Sequence, residues 1–146
     1  MAIEKAVAEQ KAHHIQQLLK AEGFAEGELS WDEQSKTWDL VFKYEKNNCL
    51  LMTDAEDTNY VSILLPNFWE IESAEELERA YRAANRANLD SKGAKVQVKR
   101  DESNLVAAVE FVVENDQALT GAVFFRYLGM LTNVANTFVN IMRENG

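Results

Sequence analysis

The sequence predicts an α+β fold, with an antiparallel sheet of about five strands and three helices in the order α-β-β-β-α-β-β-α. Three observations carry this. Residues 37–45 alternate, with Trp38, Leu40, Phe42 and Tyr44 on one side and Asp39, Lys43 and Glu45 on the other, the period of a strand with one buried face. Short polar turns join the strand-like runs, which requires antiparallel neighbours. Three further stretches repeat at the helical period instead. The chain has 146 residues, 47% of them hydrophobic, with six glycines and one proline. That is enough apolar material to close a core and argues against disorder. With no linker, repeat or low-complexity segment, residues 1–146 are expected to form a single domain.

The first helix is predicted over residues 2–22, with Ile3, Val7, His14, Ile15, Leu18 and Leu19 on or near one face and Gly23 as its stop. Gly27 and Ser30 continue a connecting loop. Strands follow at 37–45, 49–53 and 60–65. Lys46-Asn47-Asn48 forms the first turn, 54–59 forms the second, and Pro66 ends the third strand because proline cannot donate to the ladder. Ser73-Ala74-Glu75-Glu76 fits a capping box at the start of the second helix. Glu75 with Arg79 and Glu78 with Arg82 are i,i+4 pairs there, Leu77, Tyr81, Ala84 and Asn88 share a face, and Ser91-Lys92-Gly93 ends it. A second hairpin spans 94–100 and 105–113. Val106, Ala108 and Val112 make the outer side of its second strand apolar, as in a central strand.

The last helix is predicted over 117–143 with Asp116 as cap. Phe124, Leu128, Leu131, Ala135, Phe138 and Met142 form its stripe, and the polar side is narrow: Arg126, Asn133, Asn136 and Asn140. Phe125 and Val139 fall outside the centre of the stripe at about 100° per residue. So apolar a helix needs cover on more than one side, and a second chain is the expected source of part of it.

Acids outnumber bases by 24 to 15, a net charge of −9. Phosphate backbones and anionic membranes repel such a chain, so neither nucleic acid nor membrane is an expected partner. The charge is segregated: residues 54–78 hold eight acids and no base, and residues 79–100 hold seven bases and one acid. Helix-dipole matching and solvated faces explain this pattern, and an acidic edge beside a basic one could also orient a partner. No run approaches the roughly 18–20 apolar residues of a membrane span. The start, Met1-Ala2-Ile3-Glu4-Lys5, lacks the layout of a signal peptide, so a cytoplasmic protein is expected.

Catalytic vocabulary is sparse. His13 and His14 point about 100° apart on a helix and cannot share a metal as an i,i+4 pair can. Cys49, the one cysteine, has no activating base nearby in sequence and is expected to be a buried structural thiol. Asp54-Ala55-Glu56-Asp57 lacks the glycine and terminal glutamate of a calcium loop. There is no GxGxxG and no P-loop. Trp31, Trp38 and Trp69 suit core or rim packing better than ligand stacking, and Asn85 and Asn88 suit loop hydrogen bonds. No metal, no cofactor and no catalytic residue is expected.

Several features together resemble the type III secretion chaperone-like fold, and within it the YbjN-type chaperone or sensory-regulator proteins of bacteria and related cyanobacterial domains of unknown function. They are the hairpin from Trp38 to Asp54, the strand from Tyr60 to Pro66, and the helix carrying Ala80-Tyr81-Arg82-Ala83-Ala84-Asn85 with Asn88. The hairpin from Lys95 to Val113 and the long apolar last helix complete the set, which covers nearly the whole chain. The resemblance implies a dimer that binds extended segments of other proteins without catalysis. Whether it serves a secretion system is not implied, because no effector gene is in view.

The expected function is therefore a non-enzymatic module that forms a homodimer and binds a partner polypeptide by apolar burial, with strand addition at an open edge as a further mode. Phe125, Leu128 and Val139 are its candidate contact residues. The alternative is a regulatory domain that binds a small ligand in a pocket lined by Trp38 or Tyr81.

Overall fold

The computed structural model describes residues 2–25 and 27–144. Its elements are α1 (Ala2–Ala21), β1 (Leu29–Asp32), β2 (Thr37–Tyr44), β3 (Asn47–Asp54), β4 (Tyr60–Glu70), α2 (Ala74–Asp90), β5 (Ala94–Val98), β6 (Asn104–Val112) and α3 (Gly121–Glu144), with one 3-10 turn at Asp116–Ala118. The strands form one antiparallel sheet in the order β1-β2-β3-β4-β6-β5. The α+β class and element order agree with the sequence, except that the sheet has six strands. The extra one is β1, which pairs Leu29 with Leu40 and Trp31 with Trp38 in a stretch the sequence suggested was loop.

The chain folds as two compact units. The first takes in the described residues up to Ile63 together with Glu110–Arg126, and the second takes in Leu64–Val109 and the described residues from Tyr127 onward.

In the first unit α1 packs on β2 and β3. Its buried face is Ala8, Lys11, Ala12, Ile15 and Leu19; Ile15 and Leu19 are as predicted, whereas Ile3 at the first turn is 77% exposed and Val7 39%. The alanines let the helix approach closely enough for the Thr53 hydroxyl to donate to the Ala8 carbonyl at 2.7 Å and the Trp38 indole to the Lys5 carbonyl at 3.0 Å. Lys11 is only 2% exposed; its ammonium donates to the Val113 carbonyl at 2.8 Å and to Asp116. Asp116 is thus a partner of α1 and does not cap the last helix. That helix starts later than predicted, at Gly121, where the Thr120 hydroxyl accepts from Val123 N–H.

The β2–β3 turn also lies one residue from its predicted place. Glu45 and Lys46 occupy it at φ 50° and 70°, and Tyr44 pairs with Asn47. Two consecutive positive φ values match the twist of a two-residue hairpin.

In the second unit α2 packs on β5 through an alanine stripe, Ala80, Ala83, Ala84 and Ala87. Ser73 caps α2 by accepting from Glu76 N–H, but the Glu76 carboxylate accepts from the Trp69 indole at 2.8 Å and completes no capping box. β4 does not stop at Pro66 and runs on to Glu70. Asn67 takes φ 53° there, an irregularity of the kind that lets a strand tolerate a missing donor. The extension delivers Phe68 and Trp69 edge-on to Phe138 at 5.7 and 5.8 Å between ring centroids.

Candidate protein-binding surface

The covered and uncovered faces of the first unit follow from strand register. The pairs Leu40–Leu51 and Phe42–Cys49 are buried beneath α1. The intervening pairs must point to the opposite face, on which no helix of the first unit packs among the described residues. These are Val41 opposite Leu50, and Asp39 opposite Met52. At the end of β6, Phe111 and the following Val113 are buried and Val112 between them is 68% exposed, while Val41 is 56% exposed. Tyr60 joins this face by donating to Glu110 at 2.6 Å. Burial and that carboxylate push the Tyr60 hydroxyl up to about 12. The result is a mixed face on which the Val41–Leu50 pair lies between the pairs Asp39–Met52 and Lys43–Asn48.

The predicted contact residues lie elsewhere. Leu128 is fully buried and is no surface residue in this chain, because it continues the core stripe of Phe124 and Leu131. Phe125 is half-buried in an aromatic cluster with Phe24 at 5.6 Å, Tyr44 at 6.2 Å and Phe124 at 5.4 Å. Val139 is also half-buried. The core stripe of α3 is covered within one copy, while Val123 is exposed and Phe125 and Val139 are half-buried. Phe124, Leu128, Leu131, Val134, Phe138, Ile141 and Met142 are all buried within one copy, and Asn133, Asn136 and Asn140 face solvent. Periodicity marks which side of a helix is apolar and cannot say how much of the same chain covers it.

The other sequence candidates have ordinary roles. Cys49 is buried, and desolvation pushes its thiol up to about 11, far from a reactive thiolate. A His14 ring nitrogen lies 2.8 Å from the Leu119 carbonyl, and exposed His13 contacts Gln16. Trp31 and Trp38 meet as a tilted pair across two strands, 5.4 Å between ring centroids, with the Lys5 ammonium 4.5 Å above the Trp31 ring. Glu33 accepts from Lys36 and the Trp31 indole, which holds its carboxyl below the usual range. Trp38 is committed to α1, and half-exposed Tyr81 donates to Glu102. Asn88 makes paired bonds to Val96, its amide donating to the carbonyl at 3.0 Å and accepting from N–H at 2.7 Å. Among the described residues no cluster of three His, Cys, Asp or Glu side chains could hold a metal, and no helix is long and apolar enough to cross a membrane.

Two features were missed in the sequence, the helix-free face and an arginine-lined groove in the second unit. Alternation around Val41 contained the first signal. The spacing of Arg79, Arg82 and Arg86, within a basic stretch that dipole matching also explains, contains the second.

No family model matches the chain, and no curated protein matches it. Solved structures do. An uncharacterized protein from Methanothermobacter thermautotrophicus is similar over 92% of this chain and 95% of its own, with a TM-score of 0.62 and 15% identity. A chain in the structure of the HopA1–SchA chaperone–effector complex is similar over 91% of this chain and 90% of its own, with a TM-score of 0.52 and 10% identity. At such identities the likeness is one of fold alone.

Proposed function

We propose that this chain is a chaperone-like protein-binding module that holds an extended segment of a partner polypeptide on the helix-free sheet face of its first unit. The observation that carries this is the register pair Val41–Leu50, with Val41 56% exposed on the face opposite the one that α1 covers. The fold shared with a chain of a chaperone–effector complex supports it. Non-enzymatic action in the cytoplasm, a homodimer and kinship with YbjN-type proteins belong to the same proposal.

Burying an exposed valine or leucine contributes about 1.5–3 kcal/mol. Val41→Asp also leaves a carboxylate to be desolvated at the contact. The test compares affinity capture by the parent chain, Val41→Asp and Val123→Asp. Val123 is a comparably exposed apolar residue on α3 and serves as control. A discrete protein captured by the parent and by Val123→Asp, and lost with Val41→Asp, supports the assignment. Equal capture by all three, or none by any, refutes it. Light scattering tests the dimer separately, and a strict monomer at tens of micromolar removes that part.

A further inference from the structure

We propose that the groove between α2 and the end of α3 in the second unit binds a small amphipathic organic anion, a carboxylate or phosphate group carrying a short apolar tail. The proposal is independent of the sheet-face reading.

Arg79, Arg82 and Arg86 follow one another at i, i+3 and i+7, which places them within about 60° of one helical face. They line a cavity of about 330 Å³ with Ala83, Ile141 and Met142. The three apolar residues are buried and form a floor. A groove of this size lies at the small-molecule end of ligand sites.

The arginines are incompletely used by the fold. Arg79 donates through Nη2 to the Met142 carbonyl at 2.9 Å, and its Nε is buried with no acceptor. Arg82 holds Glu78 at 2.8 Å, but both side chains are largely exposed, so the pair is weak and easily exchanged. Arg86 has no ion pair among the described residues. A chain with net charge −9 that places three guanidinium groups around one apolar floor has created a local reversal of its own field. Planar guanidinium forks match carboxylate and phosphate oxygens, which would supply the acceptors now missing after a small rotation of Arg79. The floor adds selectivity for an anion with an apolar tail over a bare ion.

The test is calorimetric titration of the full chain at low salt with hexyl phosphate, hexanoate, inorganic phosphate, hexanol and a tetraglutamate peptide. Hexyl phosphate or hexanoate, or both, should bind, identifying the phosphoryl or carboxylate source. Inorganic phosphate should bind at least tenfold more weakly, and hexanol not at all. Arg86→Gln should weaken binding about tenfold, and Lys92→Gln, a basic change outside the groove, should not. No binding of either amphipathic anion overturns the proposal, as does equal binding of inorganic phosphate or equal loss with Lys92→Gln. Tighter binding of tetraglutamate also overturns it in favour of an acidic peptide. Arg82→Gln gives a second reading, with the same direction expected, and circular dichroism of each variant excludes unfolding as the cause.

Discussion

Removing either partner of the Lys11–Asp116 pair should destabilise the first unit, and the two removals should differ in a defined order. Lys11 is 2% exposed and Asp116 29% exposed. Asp116→Ala strands an ammonium in the interior with only the Val113 carbonyl as partner, a situation that costs about 3–5 kcal/mol. Lys11→Met keeps the apolar stem between Ala8 and Ala12, and the Asp116 carboxylate can turn to water. The remaining loss is chiefly the hydrogen bond to Val113, about 1–2 kcal/mol. Once the ammonium is gone, Asp116→Ala should do little more. The double variant should therefore lie near Lys11→Met, giving a coupling as large as the Asp116→Ala effect itself, about 3–5 kcal/mol. Urea unfolding followed by tryptophan fluorescence measures all four proteins, since Trp31 and Trp38 report on this unit. If Asp116→Ala costs no more than Lys11→Met, or if the two effects simply add, the charge is not held as the geometry states.

Three more outcomes are expected. Glu45→Asn with Lys46→Gly relieves two positive φ values in the β2–β3 turn and should raise stability by about 1–2 kcal/mol in the same urea assay; a loss would show that those side chains matter to the native turn. Gly27→Ala would put a Cβ 1.8 Å from the Val41 carbonyl oxygen and should destabilise by more than about 3 kcal/mol, whereas Gly129→Ala, with open space inside α3, should stabilise by about 0.5–1 kcal/mol; thermal melts that fail to separate the two would contradict the packing. The Cys49 thiol is neutral in the folded chain up to about pH 11, against an ordinary value near 9. The folded state therefore holds its proton longer than the unfolded one, so this contribution is complete below pH 9 and is lost as pH rises from 9 towards 11. Cys49→Ala should flatten that part of the stability profile, and the folded parent should resist thiol reagents at pH 8 until urea is added. Rapid labelling without urea would place the thiol at the surface.

The parts of the fold that were readable from sequence share a property: each is dictated by neighbours along the chain. The Ser73 cap, the alternation through Trp38–Tyr44 and the helical stripe of Phe124–Met142 need no knowledge of what lies opposite. The missed parts depend on a partner distant in sequence. Leu29–Asp32 becomes a strand only because β2 offers an edge. Lys11 is buried because Val113 and Asp116, about a hundred residues on, wait for its ammonium. The buried face of α1 is rich in alanine, which a search for large apolar residues passes over in favour of Ile3 and Val7. The same distinction explains the candidate site. Leu128 belonged to the core because the chain supplied its cover, and Val41 belonged to the surface because no helix lies over its side of β2.

The sheet edges constrain how any polypeptide could be held. β5 ends the sheet on one side, and Asn88 of α2 occupies both the N–H and the carbonyl of Val96 as a neighbouring strand would. An incoming strand there would first have to displace a satisfied pair of bonds. β1 ends the other side, and no side chain among the described residues plays that part for it, but it is only four residues long. Short edge strands are poor templates for pairing. Strand addition is thus closed on one edge and brief on the other, which leaves side-chain burial on the helix-free face as the larger source of affinity. The part of the affinity that Val41 and Leu50 supply should vary little with salt, because they carry no charge, whereas Asp39 and Lys43 on the same face add a screened part. Binding in the arginine groove should weaken steeply as salt screens exposed guanidinium groups. Ionic strength therefore tests the apolar part without any mutation: a polypeptide contact that collapses between 50 and 500 mM salt would rest on charged residues and not on Val41 and Leu50.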